Sequence, residues 1–130
     1  MSEKVKVLLV DDESHIRIFM RKVLQSMNCD VIAEAADGNE AISMYRRYKP
    51  NITLMDINMR IMNGAKALKI IVQEDPSALV IMLTSLHSME KVNECLSSGA
   101  SNYLRKDLPI KEIKQQIIHT WHSHNNKIKH

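Results

Sequence analysis

The sequence predicts an α/β fold in which helices cover both faces of a single parallel sheet. Short apolar runs rich in β-branched residues alternate five times with apolar stripes at helical spacing. Polar or charged residues follow most of these runs directly. Strands that alternate with helices in this way form parallel sheets, and 130 residues suit one such domain. We expect the domain to occupy residues 1–122 and a polar tail to occupy residues 123–130.

Five short apolar runs are the predicted strands. The first stops at the pair Asp11-Asp12, and the third stops at Asp56. Runs of this length, enriched in Val and Ile and bounded by polar residues, are typical of buried strands. The predicted bounds are Val5–Val10, Val31–Ala35, Ile52–Met55, Leu79–Leu83 and Asn102–Leu104.

Apolar residues at steps of three and four predict the helices between these strands. In the first helix the stripe runs from Ile16 to Met27, and Ser14 is the expected cap. The second helix ends before Pro50, because the residue before a proline avoids helical conformation. The other helices are predicted over residues 65–74, over residues 89–98 and from Pro109 onward.

The composition disfavours nucleic-acid binding and membrane insertion. The net charge is only +3, and the basic residues are scattered among acidic ones instead of forming a stripe. The apolar run near the N-terminus is too short for a signal peptide or a membrane span. We therefore expect a cytoplasmic protein whose partners are neither membranes nor nucleic acids.

Chemically reactive side chains follow four of the predicted strands. Asp11 and Asp12 follow the first strand, and Asp56 follows the third. Thr84 follows the fourth strand, and Lys106 lies just beyond the fifth. The carboxyl ends of parallel strands meet at one edge of the sheet, where ligands bind. We therefore expect these five side chains to converge.

The converging carboxylates predict a divalent cation. Three ionised carboxylates in one pocket repel one another unless some are protonated or a cation is present. Mg²⁺ prefers a few carboxylate oxygens completed by water and phosphate oxygens. Asp12, Asp56 and the backbone carbonyl of Asn58 suit such a site, with Asp11 binding through water. Mn²⁺ could substitute for Mg²⁺.

Four segments together resemble the receiver domains of bacterial two-component response regulators, the CheY-like domains. The segments are LLVDDE, LMDINMRIMNG, MLTS and YLRKDLP, in this order and spacing. Any one of them alone is weak, whereas the set is highly specific and extends over nearly the whole chain. The resemblance implies a flavodoxin-like (βα)5 three-layer sandwich with a five-stranded parallel sheet in strand order 2-1-3-4-5.

The resemblance also implies a role for each site residue. Asp56 is the expected phosphoacceptor, which takes phosphate from a histidine kinase or a histidine phosphotransfer protein. A carboxylate can attack phosphorus and form an acyl phosphate. The remaining implied roles are Mg²⁺ binding by Asp11 and Asp12, the switch hydroxyl of Thr84, the switch aromatic Tyr103, and the phosphate-binding cation Lys106.

A stand-alone receiver is the predicted protein. It assists its own phosphorylation and dephosphorylation and is not otherwise an enzyme. Its output is expected to be a contact with a downstream protein through the face of helix 4, strand 5 and helix 5. No helix-turn-helix follows residue 122, which disfavours a DNA-bound regulator. A chemotaxis-type receiver, a relay intermediate in a phosphorelay and a phosphate sink all stay open.

Several residues depart from the receiver pattern. Arg60 stands where the family usually has proline, and a solvated side chain is the expectation for it. Asn63 replaces an aspartate and can keep its turn geometry. Asp107 replaces a proline, and the cis peptide that the family often has there is carried over to the bond between Lys106 and Asp107. Leu86 cannot orient an attacking water, so we expect dephosphorylation not to be among the fastest.

Two other functions compete with the receiver switch. A degenerate receiver used only for dimerisation is disfavoured, because all five strand-end residues are intact. A phosphatase of the haloacid dehalogenase type also uses an aspartate nucleophile, but it needs two aspartates separated by one residue. Asp11 and Asp12 are adjacent, and Asp56 is followed by Ile57 and Asn58.

Overall fold

The computed structural model describes residues 4–85 and 89–129, and across them five strands alternate with five helices. Each strand falls within one residue of its predicted bounds at both ends; the second, for example, gains Asp30. In chain order the elements are β1 (Lys6–Val10), α1 (Ser14–Ser26), β2 (Asp30–Ala35), α2 (Gly38–Tyr48), β3 (Ile52–Asp56), α3 (Gly64–Glu74), β4 (Val80–Thr84), α4 (Met89–Ser97), β5 (Asn102–Arg105) and α5 (Ile110–Lys129).

The strands form one parallel sheet in the order β2-β1-β3-β4-β5. This confirms the predicted flavodoxin-like fold. Alternate side chains of each strand point to opposite faces. Leu8 and Val10 pack with α2, α3 and α4, whereas Val7 and Leu9 pack with α1 and α5. Two apolar cores therefore hold one helical layer on each face of the sheet.

The central strands are buried from end to end. Every residue of β3 and of β4 is buried, and so is every residue of β1 after Lys6. Strands covered on both faces are expected to read as continuous apolar runs, as these do. The buried runs end in polar side chains at the carboxyl edge, and this places Asp56 and Thr84 on a rigid base.

Several helix ends differ from the prediction. Ser14 is the first residue of α1 and does not cap it; Glu13 occupies the capping position without a side-chain cap bond. The last helix begins at Ile110, one residue after the predicted start at Pro109. Residues 123–129, which the sequence predicts as a polar tail, continue α5 as far as Lys129.

The helices of the described residues are too short or too polar to span a membrane. Within residues 4–85 and 89–129, none of them combines the length and the apolar composition that crossing a bilayer requires.

Candidate functional site

Backbone hydrogen bonds between neighbouring strands fix the carboxyl edge of the sheet. The backbone nitrogen of Ile57, next to Asp56, donates to the carbonyl of Leu83 at 3.1 Å. The backbone nitrogen of Lys106 donates to the carbonyl of Thr84 at 2.9 Å. Residues that the sequence predicted at separate strand ends are therefore held side by side.

Lys106 extends into a group of carboxylates. Its Nζ lies 2.7 Å from Oδ2 of Asp11, 3.3 Å from Oδ1 of Asp56 and 3.6 Å from Oε1 of Glu13. The predicted convergence of Asp11, Asp56 and Lys106 is thus seen in the structure. Glu13 was not predicted here, although it directly follows the acidic pair in the sequence.

Three carboxylates are close enough to share one cation. One oxygen from each of Asp11, Asp12 and Asp56 lies within 4.8 Å of the others. Among the described residues, Oδ2 of Asp11 is buried and has no partner with hydrogen-bond geometry, so its contact with Lys106 is an ion pair. Carboxylate oxygens at this spacing fit Mg²⁺ or a similar hard divalent ion.

The electrostatics of the cluster also favour a cation. Burial raises the pKa of Asp56 to about 6; the charge of Asp11 adds to the rise, and Lys106 opposes it. Burial by itself would lower the pKa of Lys106, but Asp11 and Asp56 outweigh it and raise that pKa. The ammonium thus stays charged, while negative charge on the carboxylates remains incompletely offset.

Thr84 and Tyr103, the predicted switch pair, lie on adjacent strands. Thr84 is the last residue of β4 and is only 4% exposed. Tyr103 pairs with Met82 in the parallel register of β4 and β5. Its side chain is half-buried against the core on the α2–α3–α4 face. The structure therefore gives Tyr103 a place near the surface beside α4, and its switching role stays a prediction.

The loop after β3 folds tightly back onto Asp56. The nitrogen of Gly64 donates to the carbonyl of Ile57 at 2.8 Å. A Cβ atom on Gly64 would lie only 2.0 Å from the backbone oxygen of Asp56. Within this loop Met62 donates to the carbonyl of Arg60, which makes Ile61 the centre of a γ-turn with φ of +70°. The loop is thus strained at its exposed tip and crowded at its base.

Two further contacts bring basic residues to the site. The Arg17 guanidinium donates to the backbone carbonyl of Asp11 at 2.6 Å and pairs with Glu34 at 3.3 Å. The Arg60 side chain is 86% exposed, as predicted for a solvated residue, and its Nε lies 3.9 Å from Oδ2 of Asp12. No sequence pattern indicates the Arg17 contact, since arginine on a helix face is usually solvated.

Asn58 is oriented by a residue of α4. Its backbone nitrogen lies 3.4 Å from Oδ1 of Asp56, and its side-chain Oδ1 accepts a hydrogen bond from Lys91 Nζ at 3.0 Å. Both residues line a groove of about 450 Å³ between the loop after β3 and α4. Lys91 was not predicted, and binding of a cation by the Asn58 carbonyl stays a prediction.

Two predictions concern the loops that follow β4 and β5. The peptide bond between Lys106 and Asp107 is trans, as are all peptide bonds in the described ranges, so the cis bond carried over from the family is wrong. A non-proline residue at position 107 explains this, because a cis bond there costs about 2.5–4 kcal/mol. Leu86, expected to flank the attacking water, lies outside the described residues.

Comparisons with known proteins identify the family. The family model described as "Response regulator receiver domain" matches residues 7–118. Protein CcdB of Bacillus subtilis is 38% identical over 109 residues, which are 84% of this chain and 89% of that protein. The chemotaxis protein CheY of Thermotoga maritima is 35% identical over 101 residues, covering 78% of this chain and 84% of that protein.

Solved structures give the same result. The CheX-CheY-BeF3-Mg complex from Borrelia burgdorferi contains a chain that is 30% identical to this one, with a TM-score of 0.86. The match covers 90% of this chain and 89% of that chain. The chain therefore belongs to the family of response regulator receiver domains, the phosphorylation switches of two-component signalling.

Proposed function

We propose that residues 1–122 form a Mg²⁺-dependent phospho-aspartate switch with Asp56 as the phosphoacceptor. The single observation that carries this proposal is the buried Asp56 carboxylate, in contact with Lys106 and grouped with Asp11 and Asp12. An Asp56 oxygen attacks the phosphorus of a phosphohistidine on a kinase or phosphotransfer protein. The P–N bond breaks, the histidine leaves, and an acyl phosphate forms on Asp56.

The residues around Asp56 supply the charge that phosphoryl transfer needs. Lys106 lies on the buried side of the cluster and can bind a phosphoryl oxygen. Asp12, Asp56 and the Asn58 carbonyl would hold Mg²⁺, with Asp11 binding through water. Bound there, Mg²⁺ would offset charge on the transferring phosphoryl oxygens. Manganese could take the same ligands.

Phosphorylation is expected to change the face formed by α4, β5 and α5. The new phosphoryl group adds roughly one and a half to two negative charges and several acceptor oxygens. The Thr84 hydroxyl can turn toward them, which vacates space for the half-buried Tyr103. The helices of this face expose apolar side chains that a partner could cover, among them Met89, Leu96 and Ile110.

The output is a contact that this receiver domain makes with another protein in the cytoplasm. A similar solved CheY is described in complex with CheX, and this supports a protein partner for the present chain. Lysines and arginines are scattered along the sequence and form no basic stripe. This argues against direct binding to nucleic acid. The phosphoryl donor is a histidine kinase or a histidine phosphotransfer protein.

Intact-mass measurement after incubation with acetyl phosphate tests the proposal. With Mg²⁺ the chain should gain one phosphoryl group, and it should gain none with EDTA or with Asp56→Ala. Phosphorylation of Asp56→Ala to the same extent would overturn the assignment. Absence of phosphorylation, with a constitutive dimer, would favour the degenerate receiver, and turnover of small phosphate esters would favour the phosphatase.

A further inference from the structure

A hydrogen bond connects α4 to the loop that carries the phosphoacceptor. Lys91 Nζ lies 3.0 Å from Oδ1 of Asn58, although the two residues are 33 positions apart. A lysine ammonium donates hydrogen bonds and cannot accept them, so its partner is the amide oxygen and not the amide NH₂. Lys91 therefore fixes which end of the Asn58 amide faces α4.

The amide oxygen of Asn58 has a second possible use. Asn58 follows Asp56 by two residues, and its backbone nitrogen lies 3.4 Å from Oδ1 of Asp56. A free side-chain oxygen beside an acyl phosphate can accept a hydrogen from an incoming water and thereby orient it. An oxygen that already accepts a hydrogen bond from an ammonium group is a weaker acceptor for that water.

We propose that Lys91 is a positioning residue that prolongs the life of the acyl phosphate by holding the Asn58 amide oxygen toward α4. The inference rests on the proposed phosphorylation of Asp56. In the hydrolysis concerned, a water oxygen bonds to phosphorus and the bond from Asp56 to phosphorus breaks. The products are the Asp56 carboxylate, inorganic phosphate and a proton released to solvent.

The hydrogen bond between Lys91 and Asn58 also makes the lifetime of the acyl phosphate depend on the position of α4. Lys69 of α3 pairs with Glu94 of α4 at 3.3 Å, so α4 is held against α3 beside the groove that contains Lys91 and Asn58. Both ion-pair side chains are about half exposed, and such pairs are individually weak. A partner that docks on α4 and moves Lys91 would release Asn58 and shorten the signal.

A double-mutant cycle on acyl-phosphate decay tests this inference. After phosphorylation with acetyl phosphate and Mg²⁺, the donor is removed and loss of the phosphoryl mass is timed. Lys91→Met should speed decay roughly two- to tenfold, the equivalent of one ordinary hydrogen bond. Lys91→Arg, which keeps a donor, should decay more slowly than Lys91→Met. In an Asn58→Ala background, Lys91→Met should have no further effect.

The matched control is Lys66→Met, because Lys66 lines the same groove and carries the same charge. An equal acceleration by Lys66→Met, or an undiminished effect of Lys91→Met in the Asn58→Ala background, would overturn the inference. An unchanged lifetime in Lys91→Met would do the same while leaving the proposed function intact. If the wild type takes up no phosphate, the proposed function itself fails.

A second readout needs neither metal nor phosphate. The side-chain amide resonances of Asn58 should shift in the NMR spectrum of unphosphorylated Lys91→Met and stay in place in Lys66→Met. Unmoved Asn58 resonances in Lys91→Met would show that the contact does not form in solution, and the inference would be withdrawn.

Discussion

The ammonium nitrogen of Lys106 lies 3.3 Å from Oδ1 of Asp56, and both side chains are less than 10% exposed. Charges at this depth are poorly screened by salt and interact more strongly than a surface pair. Lys106 also pairs with Asp11 at 2.7 Å, so one cation serves two buried carboxylates. The remaining negative charge is what a divalent ion would offset.

Removal of the Lys106 charge should destabilise the metal-free protein. Lys106→Met leaves two buried carboxylates without their cation, and breaking a buried pair costs about 3–5 kcal/mol in other proteins. We expect a loss near the lower end, because Asp56 can take up a proton in response. Urea denaturation at about pH 7 measures the loss.

Lys69→Met is the matched control for that substitution, since it breaks an ion pair with Glu94 that is about half exposed. It should cost no more than about 1 kcal/mol. Equal losses for Lys69→Met and Lys106→Met would contradict the buried cluster.

Stability in metal-free buffer should depend on the protonation of Asp56. Its pKa is raised from 3.8 to about 6 in the folded protein, so the folded state holds this proton more tightly than the unfolded state. The stability contributed by protonated Asp56 is full below about pH 4 and is lost as the pH rises through about 6.

Asp56→Asn isolates this contribution from the other titrating groups. The variant should match the wild type near pH 4 and exceed its free energy of unfolding near pH 7, by on the order of 1–3 kcal/mol. Added Mg²⁺ should narrow the difference at the higher pH. A difference that is constant across the pH range would show that Asp56 does not titrate as described.

Gly64 should tolerate no side chain, because its Cβ would overlap the Asp56 carbonyl at 2.0 Å. Gly64→Ala must displace the backbone of the phosphoacceptor, so we expect a loss of roughly 2 kcal/mol or more and slower phosphorylation. Gly38→Ala is the comparison, since its Cβ would overlap less severely, with Met62 Cγ at 2.7 Å and the Met62 backbone oxygen at 2.8 Å. Thermal denaturation should rank Gly64→Ala below Gly38→Ala, and the reverse order would be inconsistent with the packing described.

Replacement of Ile61 by glycine should not lower the stability of the protein. Ile61 combines a β-branched side chain with φ of +70° and 83% exposure, so it has strain without burial to compensate. Ile61→Gly should leave stability unchanged or raise it by about 1 kcal/mol. Arg60→Gly adds the same chain flexibility at a neighbouring exposed position and should lower stability. A clear loss in Ile61→Gly, as large as that in Arg60→Gly, would argue against the strained turn.

The sequence predicted the fold and the centre of the site for one physical reason. Parallel strands covered on both faces are read from continuous apolar runs, and their carboxyl ends must share an edge. The sequence alone therefore predicts that Asp11, Asp56 and Lys106 lie together. The strand order itself came from the resemblance to receiver domains.

Contacts made by long surface side chains could not be predicted from the pattern of apolar runs. Lys91 reaches Asn58, and Arg17 reaches the Asp11 carbonyl, through flexible stems whose direction no local pattern specifies. The positive φ of Ile61 was also missed, because a β-branched residue is the last expected there. The cis peptide carried over to Asp107 was wrong, because aspartate there lacks the low cis cost of proline.

Borohydride reduction of the phosphorylated chain, followed by peptide mapping, tests the central claim most directly. Reduction converts an aspartyl phosphate to homoserine and so marks the residue that carried the phosphate. We predict homoserine at position 56 alone, formed only in samples treated with acetyl phosphate and Mg²⁺. Homoserine at position 11 or 12, or an unmodified Asp56 in a chain that had gained phosphate, would contradict the account.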